Sequence, residues 1–268
     1  MNNWIFLSKE GKDEYINMFA LGSGGRVINT DDFNYDDSND PIVLRGILKK
    51  KIMQKCWLNG RDFYFMDTGY LGNHRNPLNP MGWKFYHRIV KNDLQHDKII
   101  ARPDDRFKRL MIPIQPWKKG GRKILIAKPD EKPMIFYGYD LDEWLEETIK
   151  TIKEYTDRPI VVRERVKSRA DRVVTNTLKE ALDDDVHCLV TFNSNSATEA
   201  VMHGIPAFTL SPTHAAAPVS LQDLSKIENP YYPDKDKVYA WACHLAYGQF
   251  HISELKDGTA WSILNEQH

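Results

Sequence analysis

The sequence has few cysteines, and its three, Cys56, Cys188 and Cys243, are far apart. An odd number of cysteines without a CxxC pair argues against a disulfide framework and against a zinc knuckle. No HxxH or HExxH pattern occurs, and the acidic run 183–185 precedes a predicted strand instead of following one. We therefore expect buried, reduced thiols, no metal site and no bound cofactor.

Long apolar runs are also missing. No run approaches the roughly 20 residues that a helix needs to span a bilayer. The first residues, MNNWIFLSKEGKDEY, return to charged side chains after a short apolar stretch, which is unlike the apolar region of a secretion signal. We expect a cytoplasmic protein without a membrane span.

The net charge is zero, but the charges are unevenly distributed. Residues 31–40 contain five acidic and no basic side chains, whereas residues 45–61 contain six basic and no acidic ones. Residues 102–123 contain eight basic side chains and two acidic ones. Basic tracts of this kind bind anionic partners such as nucleic acid in some proteins and form solvated faces in others. The sequence leaves both interpretations open.

The second half of the chain alternates regularly between predicted strands and predicted helices. Apolar side chains recur at helical spacing in residues 141–155, and short apolar runs bounded by turn residues indicate strands. This alternation predicts parallel strands joined by right-handed crossovers, which form a Rossmann-like lobe with helices on both faces of its sheet. The strands are predicted at 123–127, 160–162, 186–192 and 206–210, and the helices between them at 141–155, 177–182 and 196–203.

The first half is less regular, although it contains the same kinds of element. The prolines and glycines of residues 103–121 indicate a connection between two lobes. We expect a first lobe in residues 1–115, a second lobe in 116–236 and C-terminal helices in 237–268. Outside the second lobe, strands are predicted at 4–7, 26–29 and 62–66, and helices at 13–21, 41–57 and 238–250.

One stretch of the second lobe, from Thr191 to Pro206, indicates chemistry. A predicted strand ends there in small polar residues, and a helix begins directly after them. The first turn of a helix presents unpaired N–H groups and partial positive charge, so this turn is suited to bind phosphate. Glu199 is placed to accept a hydrogen bond from a ribose hydroxyl. The alternative is an ordinary helix cap with no ligand. The candidate phosphate ligands are Ser194, Asn195, Ser196 and Thr198.

The same stretch resembles the donor-binding segment of GT-B glycosyltransferases, including capsule-type transferases, and sugar-nucleotide 2-epimerases of that fold carry a similar run. The shared pattern is a strand, a turn rich in Ser and Asn, the sequence TEA, and GIP before the next strand. The resemblance implies that the turn and helix start hold the diphosphate of a nucleotide-sugar and that Glu199 holds the ribose. It also implies a mechanism without metal, because basic residues and helix dipoles stabilise the leaving diphosphate in GT-B families.

Most of the chain is also similar to a set of uncharacterised phage and bacterial proteins. The matching pieces are FYFMDTGYLGN, ILIAKPD, TDRPIVVRERVKSR and KVYAWACHLAYGQFHISELKDGTAW. The resemblance implies an α/β fold of two Rossmann-like lobes, GT-B-like, with the C-terminal helices packed back on the first lobe. A nucleotide-sugar, UDP-linked in our expectation, is the implied co-substrate.

Basic residues at the same predicted sheet edge are further candidates for donor binding. Arg163 and Arg165 follow the second strand of the lobe, where forked hydrogen bonds could clamp a diphosphate. Lys128 follows the first strand, and His214 follows the fourth, where it could touch the base or sugar of the donor. The alternative for each is an ordinary surface or loop residue.

The first lobe contains the candidate catalytic base. Inverting sugar transfer needs a group that takes the proton of the acceptor hydroxyl, and a carboxylate or His can do so. Asp67 ends a predicted strand and would face the cleft, with His74 in the adjoining loop as the alternate. Asp67 could instead only form a turn. Tyr70, Arg88 and Asn92 are candidates for acceptor binding, although a solvated helix face explains the last two as well.

Three functions remain open. The first is transfer of a sugar to a hydroxylated or hydroxymethylated pyrimidine in phage DNA, in the host cytoplasm. The basic tracts and the resemblance to phage proteins favour this function. The second is transfer to a surface polysaccharide or a lipid-linked glycan. The third is a nucleotide-binding protein without catalysis. DNA binding would weaken steeply with salt, and a non-catalytic protein would bind nucleotide without turnover, unchanged by Asp67→Asn. The sequence specifies neither the donor base nor the oligomeric state.

Overall fold

The computed structural model describes residues 3–47, 50–73, 85–164 and 177–266. The chain forms two compact units, of which the first contains Met1–Leu94 and Leu245–His268 and the second Gln95–His244. Residues 95–115 thus belong to the second unit, whereas the sequence pattern assigns them to the first lobe. Within these described residues, no helix is both long enough and apolar enough to cross a membrane.

The first unit is built on a six-stranded mixed sheet. Its strand order is β10-β5-β4-β3-β1-β2, in which β2, β1, β3 and β4 are parallel neighbours. β5 runs antiparallel to both β4 and β10. The last part of the chain therefore contributes an edge strand to the first sheet. The strands are β1 Ile5–Ser8, β2 Arg26–Asn29, β3 Ile42–Arg45, β4 Phe63–Thr68, β5 Tyr86–Lys91 and β10 Gln249–His251.

Helix α1 covers one face of this sheet. It begins after Asp13, whose carboxylate accepts from the backbone N–H of Ile16, and ends before Gly24, whose φ of 70° is left-handed. A side chain at Gly22 would collide with the backbone of Leu255, so glycine allows the close approach of α1 and α9. The hydrophobic core formed by these helices and the sheet contains Trp4, Phe6, Phe19, Val43, Tyr64 and Phe250. The helices of this unit are α1 Glu14–Ser23, α2 Lys50–Asn59, α9 Ile252–Lys256 and α10 Thr259–Glu266.

Two of the helices predicted outside the second lobe are wrong in part. The predicted helix 41–57 is a strand, β3, followed by α2, and residues Ile42–Leu44 are fully buried between neighbouring strands. A strand buried on both faces is a continuous apolar run, which periodicity alone does not separate from a buried helix. The predicted helix 238–250 ends at Tyr247, and β10 follows it.

The second unit confirms the predicted Rossmann-like lobe. Its four strands, β6 Lys123–Ala127, β7 Ile160–Arg163, β8 Val186–Thr191 and β9 Ala207–Thr209, are all parallel in the order β7-β6-β8-β9. Each lies where the sequence pattern predicts a strand. The flanking helices are α3 Asp105–Leu110, α4 Glu131–Tyr137, α5 Leu141–Tyr155, α6 Leu178–Asp183, α7 Ser196–Met202 and α8 Lys235–Tyr247.

Apolar side chains of β6 and β8 pack against α5 in the core of the second unit. Ile126, Val190 and Phe192 are fully buried there together with Ile152 and the largely buried Trp144. Phe192 meets the Trp144 ring edge to face at 5.9 Å, a favoured aromatic geometry. All three cysteines of the chain are buried and free, as predicted, and burial raises the pKa of the Cys188 thiol.

Candidate functional site

Each sheet has one point at which its chain connections turn in opposite directions. In the second unit the chain passes from β6 to β7 on one side and then returns to β8 on the other side of β6. The loops after β6 and β8 therefore diverge, and ligands of open α/β sheets bind outside the carboxyl ends of the strands at such a point. Thr191, at the end of β8, is fully buried and donates its Oγ1–H to the Ala127 carbonyl at 2.7 Å. This bond joins the ends of the two strands.

The residues predicted to bind phosphate follow β8 directly. The Oγ atoms of Ser196 and Thr198 are buried and have no hydrogen-bond partner among the described residues. Asn195 makes no side-chain bond that caps α7, so the capping alternative has no support at that residue. Ser194 Oγ accepts from Ser196 N at 3.3 Å, and Glu199 is exposed on the helix. The first turn of α7 therefore places two hydroxyl groups, unpaired within the described part of the chain, at the carboxyl edge of the sheet.

His214 holds two loops of this edge together. It is fully buried, its Nδ1 accepts from Ala216 N at 2.9 Å, and its Nε2 lies 3.1 Å from the Ser194 carbonyl oxygen. Because Nδ1 accepts a backbone proton, the ring is the tautomer that carries its own proton on Nε2. The geometry thus gives His214 a role in positioning the turn, whereas direct contact with the donor remains a prediction.

Gln95 makes a second tie at the same edge, and the sequence pattern gave no indication of it. Its Nε2 donates to the Asn193 carbonyl at 2.6 Å, and its Oε1 accepts from Ala215 N at 2.9 Å. The indole of Trp241 donates to the Ala215 carbonyl at 2.6 Å. These partners lie far apart in the chain, so only the folded structure brings them together. The loops after β8 and β9 are therefore fixed from several directions.

Two of the basic candidates, Lys128 and Arg163, lie at the ends of β6 and β7. Lys128 Nζ is 3.1 Å from a carboxylate oxygen of Glu164 and 3.9 Å from one of Asp142, so an anionic ligand would have to compete with these groups. The Lys128 backbone N–H donates to the carbonyl of Arg163, which is half-buried at the end of β7. Arg165 lies outside the described residues.

His244 is a buried titratable group in the second unit that the sequence pattern did not single out. Burial and the nearby Arg102 lower the pKa of His244 to about 4. Its ring meets the His96 ring edge to face at 5.4 Å. Among the residues that the structure describes, no group of three or more His, Cys, Asp or Glu side chains could hold a metal ion.

In the first unit, the end of β4 brings together Asp67, Tyr70 and Arg88. Arg88 Nη2 lies 3.6 Å from Asp67 Oδ2, and the guanidinium is 5.3 Å from the centre of the Tyr70 ring. Arg88 also donates from Nη1 to the Thr68 carbonyl and from Nε to the Leu94 carbonyl. All three nitrogens of Arg88 are thus engaged within the protein. The Asp67 side chain, 41% exposed, is the accessible group of this cluster.

A buried glutamine supports the turn after Asp67. Gln249 Oε1 accepts from the backbone N–H groups of Tyr70 and Leu71 at 2.7 and 2.9 Å, and its Nε2 donates to the Leu71 carbonyl. A side chain at Gly69 would collide with this amide. The position of Asp67 therefore depends on a residue from the last strand of the chain.

Asn92 does not join the Asp67 cluster. It sits in a turn with a φ of 59°, where its Oδ1 accepts from Phe63 N at 2.8 Å and its Nδ2 donates to Asp62. Because Phe63 begins β4 and Asp67 lies near its end, the two sites are separated by about 13 Å at 3.3 Å per residue. The predicted helix face around Arg88 is strand β5. His74 lies outside the described residues.

Two α/β units, each with four parallel strands in the same order and polar residues at the carboxyl edge, define a Rossmann-like α/β fold. The chain is similar to two solved structures from Thermosulfurimonas dismutans. One is KpsC, beta Kdo 2,7 transferase, at a TM-score of 0.55 and 11% identity over 100% of both chains. The other is KpsC, beta Kdo 2,4 transferase, at 0.52 and 11%, over 90% of this chain and 89% of that one. At this identity the likeness shows the fold alone. No family model and no curated protein matches the chain.

Proposed function

We propose that this protein is a glycosyltransferase that takes a sugar from a nucleotide-sugar bound by the second unit. The observation that carries the proposal is the pair of buried hydroxyls, on Ser196 and Thr198, that have no partner among the described residues. They lie where the strand connections diverge, in a fold shared with two structures named as Kdo transferases. Buried polar groups are normally hydrogen-bonded, so an unused pair at this position favours a ligand.

In this proposal the turn 193–196 holds the phosphate of the donor. Ser194 and Asn195 supply half-buried donors, Ser196 and Thr198 the buried hydroxyls, and Glu199 accepts from the ribose. The helix α7 has only seven residues, so its dipole adds little and the side-chain and backbone donors carry the binding. Arg163, at the end of β7, and Lys128, after β6, neutralise charge on the leaving nucleotide in this proposal, and no metal takes part. Arg165, which lies outside the described residues, stays a candidate for the same role.

The chemical step in the proposal uses Asp67, with His74 as the alternate. The carboxylate takes the proton of an acceptor hydroxyl as the oxygen attacks the anomeric carbon, and the bond from that carbon to the nucleotide phosphate breaks. The nucleotide leaves with the electron pair of that bond. Arg88 and Gln249 keep Asp67 and its turn in place.

The basic tract 102–123 gives no support to DNA as the acceptor. Most basic side chains of residues 102–123 are paired with aspartates, and paired charges release few counterions on binding DNA. Acceptor assays therefore begin with glycans, because both structural neighbours are named as Kdo transferases. The pairs are Lys108–Asp104, Arg109–Asp105, Lys118–Asp183, Arg122–Asp185 and Lys123–Asp184.

A thermal-shift screen tests the donor site. Wild-type protein is compared with a Ser196→Ala, Thr198→Val double variant against UDP-, GDP-, CMP- and dTDP-sugars, with and without EDTA. We expect one nucleotide family to raise the melting temperature by several degrees in the wild type, unaffected by EDTA, and to lose most of that effect in the double variant. Ser225→Ala, an exposed serine of the same unit, is the matched control. A wild type that responds to no nucleotide would refute the proposal.

A further inference from the structure

A second polar cluster, made of Ser8, Asp13, Tyr15 and Arg45, lies at the carboxyl edge of the first sheet. We call it the Asp13–Arg45 cluster. The chain passes from β1 to β2 on one side, whereas β3 lies on the other side of β1. The ends of β1 and β3 are therefore the point of this sheet where the connections diverge, which is the usual place of a ligand. Ser8 is the last residue of β1, and Arg45 is the last residue of β3.

The guanidinium of Arg45 is fixed on two sides. Its Nε lies 2.9 Å from both carboxylate oxygens of Asp13. Its central carbon lies over the ring of Tyr15, 4.8 Å from the ring centre. The Tyr15 ring in turn packs against the ring of the buried His87 at 4.1 Å. Arg45 is thus held in one place before any ligand binds.

Asp13 is also fixed by the backbone. Its own N–H donates to Ser8 Oγ at 3.0 Å, and its Oδ1 accepts from Ile16 N at the start of α1. The carboxylate therefore has two functions, to cap the helix and to orient Arg45. The side chains of Asp13 and Arg45 are only 22% and 28% exposed, so water competes weakly with their interaction.

The two terminal nitrogens of Arg45 remain available. Within the part of the chain that the structure describes, the hydrogen bonds of this guanidinium run through Nε, and neither Nη1 nor Nη2 has an acceptor. An arginine that is fixed and still offers two parallel donors fits a carboxylate or a phosphate in a forked arrangement. A purely structural ion pair would gain from using these nitrogens within the protein, as Arg88 does.

We propose that Arg45 binds an anionic group, a carboxylate or a phosphate, on the acceptor, with Asp13 holding the guanidinium in position. The identity of this ligand as the acceptor rests on the proposed function. Arg45 is opposite Met66 in the register of β3 and β4, so its side chain lies on the α1 face and that of Asp67 on the other face. The two residues end neighbouring strands at the same edge. An acceptor bound at this edge would contact the proposed base, Asp67, from one face of the sheet and Arg45 from the other face.

Three matched probes test the site with the full-length protein by calorimetric titration. Glucuronate carries a carboxylate, glucose 6-phosphate carries a phosphate, and glucose carries neither. We expect at least one anionic sugar to bind the wild type tighter than glucose, and the tighter of the two identifies the source of the anion. Arg45→Gln should weaken that binding about 10- to 100-fold, and Arg45→Lys, which keeps the charge without the fork, should weaken it less.

Asp13→Asn separates a ligand site from a structural pair. Asn keeps an oxygen that accepts from Ile16 N and Arg45 Nε, so it still caps α1 and holds the guanidinium, but it no longer neutralises the charge of Arg45. Anion binding should therefore stay within about threefold of the wild type or become tighter. If the pair were only structural, Asp13→Asn and Arg45→Gln would change the free energy of unfolding by similar amounts, and neither would change the affinity for the anionic sugar. Arg26→Gln, which removes an exposed arginine of β2 paired with Asp40 at 3.3 Å, should change nothing.

The nucleotide response of the second unit, recorded on the same samples, separates this proposal from the proposed function. Arg45→Gln should keep the nucleotide response while it loses the anionic sugar, and wild-type protection of the amides of β1 and β3 in hydrogen exchange shows that the first unit of the variant is folded. Failure of the wild type to respond to nucleotides would count against transfer alone. Anionic sugars that bind no better than glucose, or that bind Arg45→Gln as tightly as the wild type, would overturn the site.

Discussion

The four parallel strands of the first unit are arranged as second, first, third and fourth in chain order, and those of the second unit have the same arrangement. The polar groups at the two carboxyl edges nevertheless differ. The second unit offers hydroxyls, amides and one neutral histidine around the turn after β8, whereas the first offers two arginine–aspartate pairs, Arg45–Asp13 and Arg88–Asp67. One topology thus supports two kinds of edge, one with neutral hydrogen-bonding groups around a turn and one with arginine–aspartate pairs.

Each edge is tied by one buried glutamine. Gln95 joins the loops after β8 and β9, and Gln249 holds the turn after β4. A glutamine side chain can donate and accept hydrogen bonds at the same time. It therefore satisfies both the N–H and the C=O groups of a loop whose backbone has no partner strand. The comparison predicts that the two edges can be disturbed separately.

The largest effect is expected from the charged edge of the first unit. Asp67→Asn removes the proposed base, so transfer to the acceptor should fall by about 10²- to 10⁴-fold. The nucleotide response of the second unit should not change. Asp37→Asn, at an exposed aspartate of the same unit, is the control. Full transfer activity in Asp67→Asn would assign the proton to another group, and His74→Ala would be examined next.

The two glutamines are expected to show the next largest effects. Gln249→Ala leaves two N–H groups and one carbonyl of the turn after β4 unpaired, at a cost of about 2 to 4 kcal/mol of local stability. Gln95→Ala leaves two groups unpaired and should cost less. Hydrogen exchange measures both units in one sample: Gln249→Ala should expose the amides of Tyr70 and Leu71, and Gln95→Ala those near Ala215. Exposure of both regions by either variant would mean that the edges are not independent.

The sequence predicts the second unit better than the first for a physical reason. The strands of the second unit are short apolar runs between clear helices, so the alternation itself identifies them. β3 is a continuous apolar run that is followed closely by helix α2, and β10 is a strand of only three residues that follows helix α8 closely. In both places the local sequence pattern therefore predicts a helix where the structure has a strand. The ties at the edges depend on partners far apart, such as Gln249 and Tyr70, which are separated by 179 positions. Their side chains have no local pattern from which they could be predicted.

A moderate effect is expected from acid, and it should appear in the second unit. The pKa of His244 is lowered to about 4 by burial and by Arg102, whereas in the unfolded chain it is near 6.5. Below pH 6.5 the unfolded chain therefore binds a proton that the folded chain does not. The stability that neutral His244 provides is complete above pH 6.5 and falls by about 2 to 3 kcal/mol as the pH decreases to about 4.

Hydrogen exchange at pH 7 and pH 4.5 checks this expectation. The amides of β8 should lose protection at the lower pH, and His244→Leu should remove most of that loss. His96, whose ring contacts His244, is a further titratable group beside it, and His96→Gln distinguishes its part. An equal loss of protection in β4 of the first unit would show that acid acts through groups other than His244.

The smallest effect is expected at the opposite edge of the second sheet, where β8 begins. Asp183, at the end of α6, accepts from Lys118, Lys179 and His203, and these hydrogen bonds hold the pKa of its carboxyl well below the usual range. A lowered pKa stabilises the fold at pH values above the unfolded value near 3.8, and this contribution is lost as the pH falls further.

The Asp183 side chain is 42% exposed, so Asp183→Asn should lower the free energy of unfolding by less than about 1 kcal/mol at pH 7, and by less still at high salt. Urea unfolding at 0.05 and 1 M NaCl measures the difference. A loss above 2 kcal/mol that salt does not reduce would mean that these charges are shielded from water. Shielding of that kind would make the amino edge of the second sheet resemble the partly buried ion pairs of the first.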